Sequence, residues 1–420
     1  AIQDPAYKSP LRANWLSVEV AAVDRYTVTF TLKKVYFGFL ESLTVGILPK
    51  HIWETIPPES FLLADYNLAP IGSGPYRFYD SEKDSSGNIL SFEVRAFDSY
   101  FSGIPYIEKV TFRFYPDERS LLDAYNRKEV LGINSVMPEN VAELEARKST
   151  NTYEIAIPRV FAVFFNVTKN AALAHDEVRR ALALATDRQS IIREVLLGKG
   201  KSAETALLPF MNGYAGDLAF SHFDLNRANE LLDQNSWRRG EDGVRSRDGT
   251  TLQFELKVPD WPELTRTAEL LRTQWEQVGA RVTVTVLSAA DLQQNVVRPR
   301  EYEALLFGEV AMLDSDPYSF WHSSQKHDPG LNLALFDNKD ADDLLLSLRE
   351  ELSPDKRREK FRSFQEILVR ENPAVFLYSP TYLYVVNSSI KGVDMKNANV
   401  PAYRLSTIKD WYIKTKRVKK

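Results

Sequence analysis

The 420-residue chain has no cysteine. That excludes disulfides, thiolate zinc sites, iron–sulfur clusters and cysteine nucleophiles. It fixes no compartment, because a chain without thiols works in either redox environment. Long apolar runs are missing too. The longest falls well short of the roughly 20 residues that cross a bilayer as a helix. The chain opens Ala1-Ile2-Gln3-Asp4-Pro5, with no Met, no charged n-region and no apolar h-region, so no signal peptide is visible. Neither sign of charge dominates: 53 Lys and Arg face 57 Asp and Glu, a formal net charge of -4. That balance argues against a dedicated nucleic-acid binder. The basic tail at residues 414–420 is short and terminal and reads as a solvated end.

Histidine is scarce as well: His51, His175, His222, His322 and His327 are the only five. None forms a His-Glu-x-x-His pair, and no acidic cluster has zinc or calcium spacing. There is no G-x-S-x-G elbow and no Walker A loop. Gly72-Ser73-Gly74 lacks the lysine and helix of a phosphate cradle and reads as a structural turn. No cofactor or metal is called for, and little is left for an enzyme to use.

What is present exceeds one core. Single cores stop growing at roughly 250–300 residues, so two or more lobes are expected. Composition is that of an ordinary globular protein, 44% hydrophobic and 26% charged. Residues 18–32 alternate, with Val18, Val20, Tyr26, Val28, Phe30 and Leu32 on one parity. Residues 91–96 and 109–114 read as further strands, and 117–127 as a helix with Leu121, Leu122 and Tyr125 on one face. Residues 161–167 are an apolar strand. Residues 176–197 are an amphipathic helix or helix pair, ended by Gly198 and Gly200. Residues 223–235 form another helix, and 237–250 a hairpin or loop. The alternating run 252–258, the helix 263–278 and the alternating run 281–287 compose a strand–helix–strand unit, which predicts a parallel strand pair. A long charged helix at 354–370 precedes the apolar strand 374–378.

The segment 308–323 concentrates chemistry. It follows the strand 304–307 and sets Asp314, Asp316, Tyr318, Trp321 and His322 in one loop. Binding residues gather on such loops. Asp314 and Asp316 could accept charge-assisted bonds from a ligand ammonium, and Tyr318 and Trp321 could supply apolar walls. The structural alternative is a cap, with Asp316-Pro317 opening a helix. A paired-carboxylate glycosidase would need a second carboxyl that nothing identifies. Tyr378, Tyr382 and Tyr384 flank a Ser379-Pro380 break and read first as packing, second as cleft lining.

At these residues the sequence resembles the family 5 extracellular solute-binding proteins, the group of oligopeptide- and dipeptide-binding proteins. Gly72-Ser73-Gly74-Pro75-Tyr76-Arg77-Phe78 is similar to its G-[TS]-G-P-Y-x-[FL] signature. Phe165-Asn166-Val167-Thr168, Val178-Arg179-Arg180-Ala181-Leu182 and Ala185-Thr186-Asp187-Arg188 follow in the family's order. So do Asp224 to Leu232 with Trp237, Gln274 to Gly279, and Asp314-Ser315-Asp316-Pro317. The resemblance implies an α/β, two-lobed, periplasmic-binding-protein-like fold (class II, large peptide-binding type) with mixed sheets and a hinge. It implies lobe I over residues 1–163, lobe II over 164–382 and a return to lobe I over 383–420, with ligand held between lobes by hinge closure. The implied function is peptide capture for an ABC permease and ATPase, by a monomer that works outside the cytoplasm, periplasmic or lipid-anchored. In peptide-binding members an Asp of the lobe II loop pairs with the peptide α-ammonium, which carries over to Asp314, with Asp316 the fallback. Tyr318, Trp321, His322 and Tyr382 complete the expected contact set. The family runs further upstream than Ala1, so a missing N-terminal part is expected, and lobe II should fold better than lobe I. Other readings are the same trap with an oligosaccharide, an opine or a nickel chelate, a glycoside hydrolase, and a surface chaperone or receptor.

Overall fold

The structure, a computed structural model, describes residues 1–9, 11–218, 220, 222–310, 316–396 and 400–413. The basic tail lies outside these. The chain divides into two compact units. Unit 1 comprises Ala1–Val18, Glu41–Ile157 and Tyr382–Lys420; unit 2 comprises Glu19–Leu40 and Pro158–Thr381.

From the amino terminus the strands are β1 (Val18–Ala22) and β2 (Val28–Leu32), then β3 (Tyr76–Lys83), β4 (Ile89–Ala96) and β5 (Lys109–Arg113). β1 and β2 pair as a ribbon. Beyond Val18 their burial does not follow the alternation, for Val20, Tyr26 and Val28 are all exposed. β3, β4 and β5 make an antiparallel meander in unit 1. No residue of that meander is fully buried. Asp117 accepts from the Ser120 backbone N–H and caps the helix Glu118–Asn126. The short strand β6 (Gly132–Ile133) follows, then the helix Pro138–Glu145 and β7 (Thr150–Ala156). The buried side chains of unit 1 gather around Tyr125, Ile133, Val141 and Leu144, and around Ile155, Tyr384 and Trp411.

Unit 2 opens with β8 (Arg159–Phe165), a run of apolar residues that can afford burial on both faces. Its odd residues Phe161, Val163 and Phe165 enter one core and its even residues Val160, Ala162 and Phe164 the other, as the two-residue period of a strand requires. The expected helix at 176–197 is a pair, Asp176–Leu184 and Arg188–Glu194, and Asp187 caps the second. β9 (Gly200–Ser202) precedes the helix Leu225–Gln234. The polar stretch after it is a small sheet of β10 (Arg238–Arg239), β11 (Arg245–Arg247) and β12 (Thr250–Thr251).

The strand–helix–strand unit forms as its periodicity predicts. β13 (Gln253–Pro259) and β14 (Arg281–Leu287) are parallel, in register from Gln253↔Arg281 to Pro259↔Leu287. The helix Pro262–Glu276 between them buries Leu264, Ala268, Leu271 and Trp275 against the sheet. β15 (Ala304–Val310) is parallel to β13 and antiparallel to β8, so the sheet is mixed. The helices Lys339–Glu350 and Pro354–Glu371 cover its other face.

The last long strand, β16 (Ala374–Asn387), runs through the expected Ser379-Pro380 break. A register irregularity between Phe376 and Tyr378 and pairing to the three-residue β9 let the sheet accept a residue that has no N–H to donate. In unit 2 it pairs with β8 and β9, and its later residues pair with β6 and β7 in unit 1. A two-stranded sheet of β17 (Ile390–Lys391) and β18 (Tyr412–Ile413) ends the fold. The unit boundaries differ from the expected 163/164 and 382/383. They fall at 157/158 and 381/382, and residues 19–40 join unit 2. The reasons are local: β8 is interior to the unit 2 sheet, the Phe37 backbone N–H donates to the Arg349 carbonyl, and the Arg357 guanidinium lies 3.5 Å over the Phe37 ring. Among the described residues no helix is long and apolar enough to cross a membrane, and no group of three acidic or histidine side chains could hold a metal ion.

Candidate functional site

In sheets with parallel strands, ligands bind outside the carboxyl ends. β13 and β15 are parallel, so their carboxyl ends meet at one edge of unit 2. Asp260 and Trp261 leave β13 there, and the Trp261 ring stacks on Phe307 of β15 at 6.4 Å with an interplanar angle of 25°. Trp261 is 44% exposed. Two residues beyond Phe307, on the same face of the strand, stands Glu309. It is 7% exposed, and its Oε1 has no hydrogen-bond partner among the described residues. Burial pushes its carboxyl well above the usual range, and a hydrogen bond from Trp321 opposes that shift.

Asp314 lies outside the described residues. Asp316 is fully engaged. Its Oδ1 accepts from the Tyr318 backbone N–H at 3.1 Å. Its Oδ2 accepts from Arg349 Nε at 2.7 Å and from the Tyr36 hydroxyl at 3.2 Å. The Arg349 guanidinium also lies 4.1 Å over the Tyr318 ring and 4.9 Å over the Tyr36 ring. Burial first, and the Asp316 carboxylate second, raise the Tyr36 hydroxyl to about 12, against the pull of Arg349. A shallow depression over this cluster is lined by Tyr36, Asp316, Pro317 and Arg349. Asp316 is therefore an ion-pair partner of Arg349 and an acceptor for the Tyr318 backbone N–H, just ahead of Pro317 at the N-cap of the short helix Tyr318–Trp321.

Tyr318 and His322 stack at 4.3 Å, and His322 Nδ1 accepts from the Ser324 backbone N–H. Trp321, expected as a ligand wall, is 1% exposed. Its ring packs among Phe164, Phe336 and Phe376, which leaves it almost no exposed surface. Tyr382 belongs to unit 1, where its buried hydroxyl donates to Asn134 Oδ1 at 2.8 Å. Tyr378 and Tyr384 are buried too, as their packing reading predicts.

Sequence reasoning passed over Tyr36, Trp261, Glu309 and Arg349. One signal was available for Glu309. Leu305, Phe307 and Glu309 share a parity, so the acid falls on a face that is otherwise apolar. Tyr36 and Arg349 stand 280 and 33 residues from Asp316, and no local pattern links them to it.

Comparison with known proteins places this geometry in context. The sequence model of the family described as bacterial extracellular solute-binding proteins, family 5 Middle, matches residues 1–330. The oligopeptide-binding protein AppA of Bacillus subtilis is 26% identical over 398 residues, which span 92% of this chain and 71% of that protein. The solved structure of AppA in complex with a nonapeptide superposes with a TM-score of 0.84 at 23% identity, over 99% of this chain and 82% of that one. NikZ from Campylobacter jejuni, solved in complex with Ni(L-His), superposes with a TM-score of 0.85 at 22% identity, over 97% and 81%. These likenesses give the fold: α/β with mixed sheets, of the two-lobed periplasmic binding-protein class.

Proposed function

The chain belongs to the bacterial extracellular solute-binding proteins of family 5, and on that premise we propose that it captures peptides outside the cytoplasm and hands them to an ABC-type permease and ATPase. The observation that carries the peptide class is the similarity to an oligopeptide-binding relative along 92% of the chain. Unit 1 is read as the first lobe of such a protein and unit 2 as the second. The role is that of a binding protein and not of an enzyme, as the relatives are named for what they bind. The carboxyl end of β15 and the loop after it are read as the part of unit 2 that meets the solute. Asp314 is its proposed polar contact, by the family resemblance, with Tyr318 and His322 next to it in sequence.

The test is a thermal shift of the whole chain with a pool of di- to pentapeptides, a sugar pool and nickel–histidine. A solute at 100 times its Kd stabilises by about 2.7 kcal/mol, or roughly 5–10 °C for a cooperative unit of about 150–250 residues. Stabilisation by peptides is expected. Stabilisation by sugars or nickel–histidine alone would overturn the peptide class and keep the family. Two variants refine it. Asp314→Ala is expected to weaken peptide binding at least about tenfold with the unliganded melting midpoint unchanged. Asp316→Ala is expected to lower that midpoint, because Arg349 loses its carboxylate.

A further inference from the structure

β14 (Arg281–Leu287) is the last strand of the unit 2 sheet, with β13 on one side and no strand on the other among the described residues. Its register with β13 runs without a bulge from Gln253↔Arg281 to Pro259↔Leu287. The Arg281 backbone N–H donates to the Leu252 carbonyl, and the Asp260 N–H to the Leu287 carbonyl. In a parallel ladder alternate residues bond the same neighbour, so Arg281, Thr283, Thr285 and Leu287 serve β13. Val282, Val284 and Val286 therefore turn their N–H and C=O groups away from it. Those groups have no hydrogen-bond partner among the described residues. An open edge of this kind pairs with other extended chains unless lysine, proline, a bulge or a covering element blunts it. β14 carries no lysine, no proline and no bulge. Arg281, at its start, is tied to Asp242 at 2.6 Å, and the next charge along the chain is Asp291. Thr283 and Val286 lie on opposite faces of the strand, and both are exposed.

We propose that β14 is an interaction edge at which two copies of this chain join antiparallel, extending the unit 2 sheet across a two-fold axis. The run is complementary to itself. With the axis at Val284, that residue meets its own counterpart, Val282 meets Val286, Thr283 meets Thr285, and Arg281 meets the uncharged Leu287. Every outward N–H then faces an outward C=O. β-branched side chains stand opposite one another, and like charges do not. A foreign segment would have to bring a matching pattern, whereas a second copy carries it already, and a two-fold contact closes on itself. The pairing is independent of the solute reading, and its failure leaves peptide capture standing.

The experiment is sedimentation velocity of the whole chain, native and variant, together with hydrogen exchange of the β14 segment. Native protein is expected to pass from one-chain to two-chain mass between about 5 and 200 μM. Over the same range the β14 amides are expected to exchange at least about tenfold more slowly. Val284→Pro removes an outward N–H and spares the ladder to β13, of which that N–H is no part. Val286→Lys sets a charge on the edge. Each is expected to raise the concentration needed for pairing at least about tenfold. Leu352→Lys, at an apolar site outside the strand that is 63% exposed, is expected to leave pairing unchanged. One-chain mass for native protein at about 200 μM would overturn the proposal. So would pairing that survives both edge variants, or pairing that Leu352→Lys weakens equally. If Val284→Pro melts more than about 5 °C below native, Val286→Lys decides. Exchange slowed by an added unrelated extended peptide, in a chain that stays single, would give the edge to a foreign strand and overturn the pairing of copies.

Discussion

Burial raises the Glu309 carboxyl well above its ordinary value near 4.5, so the folded chain holds this proton more tightly than the unfolded chain does. The proton's contribution to stability is fully present below the ordinary value. It is lost as pH rises from there through the raised folded value. Glu309→Gln has no such proton to lose. The variant is therefore expected to match native stability near pH 4 and to gain on it steadily at higher pH, as read by melting curves of the unliganded proteins between pH 4 and 8. A difference constant with pH would mean that the carboxyl titrates as a solvated one. Asp316 differs in its hydrogen bonding. Its oxygens meet a backbone N–H, a guanidinium and a hydroxyl, so both are held by donors, while Glu309 has a bond from Trp321 and leaves Oε1 without a partner among the described residues. Nothing in the residue types Asp and Glu distinguishes these fates; the neighbours do.

The elements that shape the site were legible where their pattern is local. The parallel pair of β13 and β14 follows from strict alternation on each side of a helix-period run. The end of that helix follows from Gly279, whose φ of +84° is a left-handed conformation that side chains resist. A methyl group there would stand 2.7 Å from Arg245 Cγ and 3.1 Å from the Gly243 carbonyl oxygen. Arg245 cannot easily yield, since it is buried and its Nε donates to the Val278 carbonyl. Gly279→Ala is thus expected to destabilise the protein by about 2 kcal/mol or more, measured as a lower urea midpoint. A neutral effect would show that the turn into β14 has slack. Other elements were illegible for the same kind of reason. The length of β16 depends on partners from β6 to β9, and the exposure of β1 and β2 depends on what covers them. Neither is written in the run of residues itself.

Over the whole molecule, burial is uneven. The two large cores belong to unit 2, on the two faces of its sheet, and the β3–β5 meander of unit 1 has no fully buried residue. Local opening is easiest where few apolar contacts are buried. Limited trypsin digestion of the chain is expected to cut first within residues 41–150 and to leave a protected fragment covering 158–381, identified by mass spectrometry. Early cleavage inside 158–381 would contradict this. By itself the sequence determined the class of protein, the mixed α/β character and the strand–helix–strand unit of the site, because ordered motifs and periodicities of two and 3.6 are carried by neighbouring residues. It also pointed to the segment 308–323. Only the tertiary structure decided which carboxyl in that segment is already satisfied and which is not. Asp316 is claimed by Arg349 and Tyr36 from distant parts of the chain, while the fold buries Glu309 beside Trp321 with one oxygen unmet, and pairings made across the fold leave no trace in local spacing.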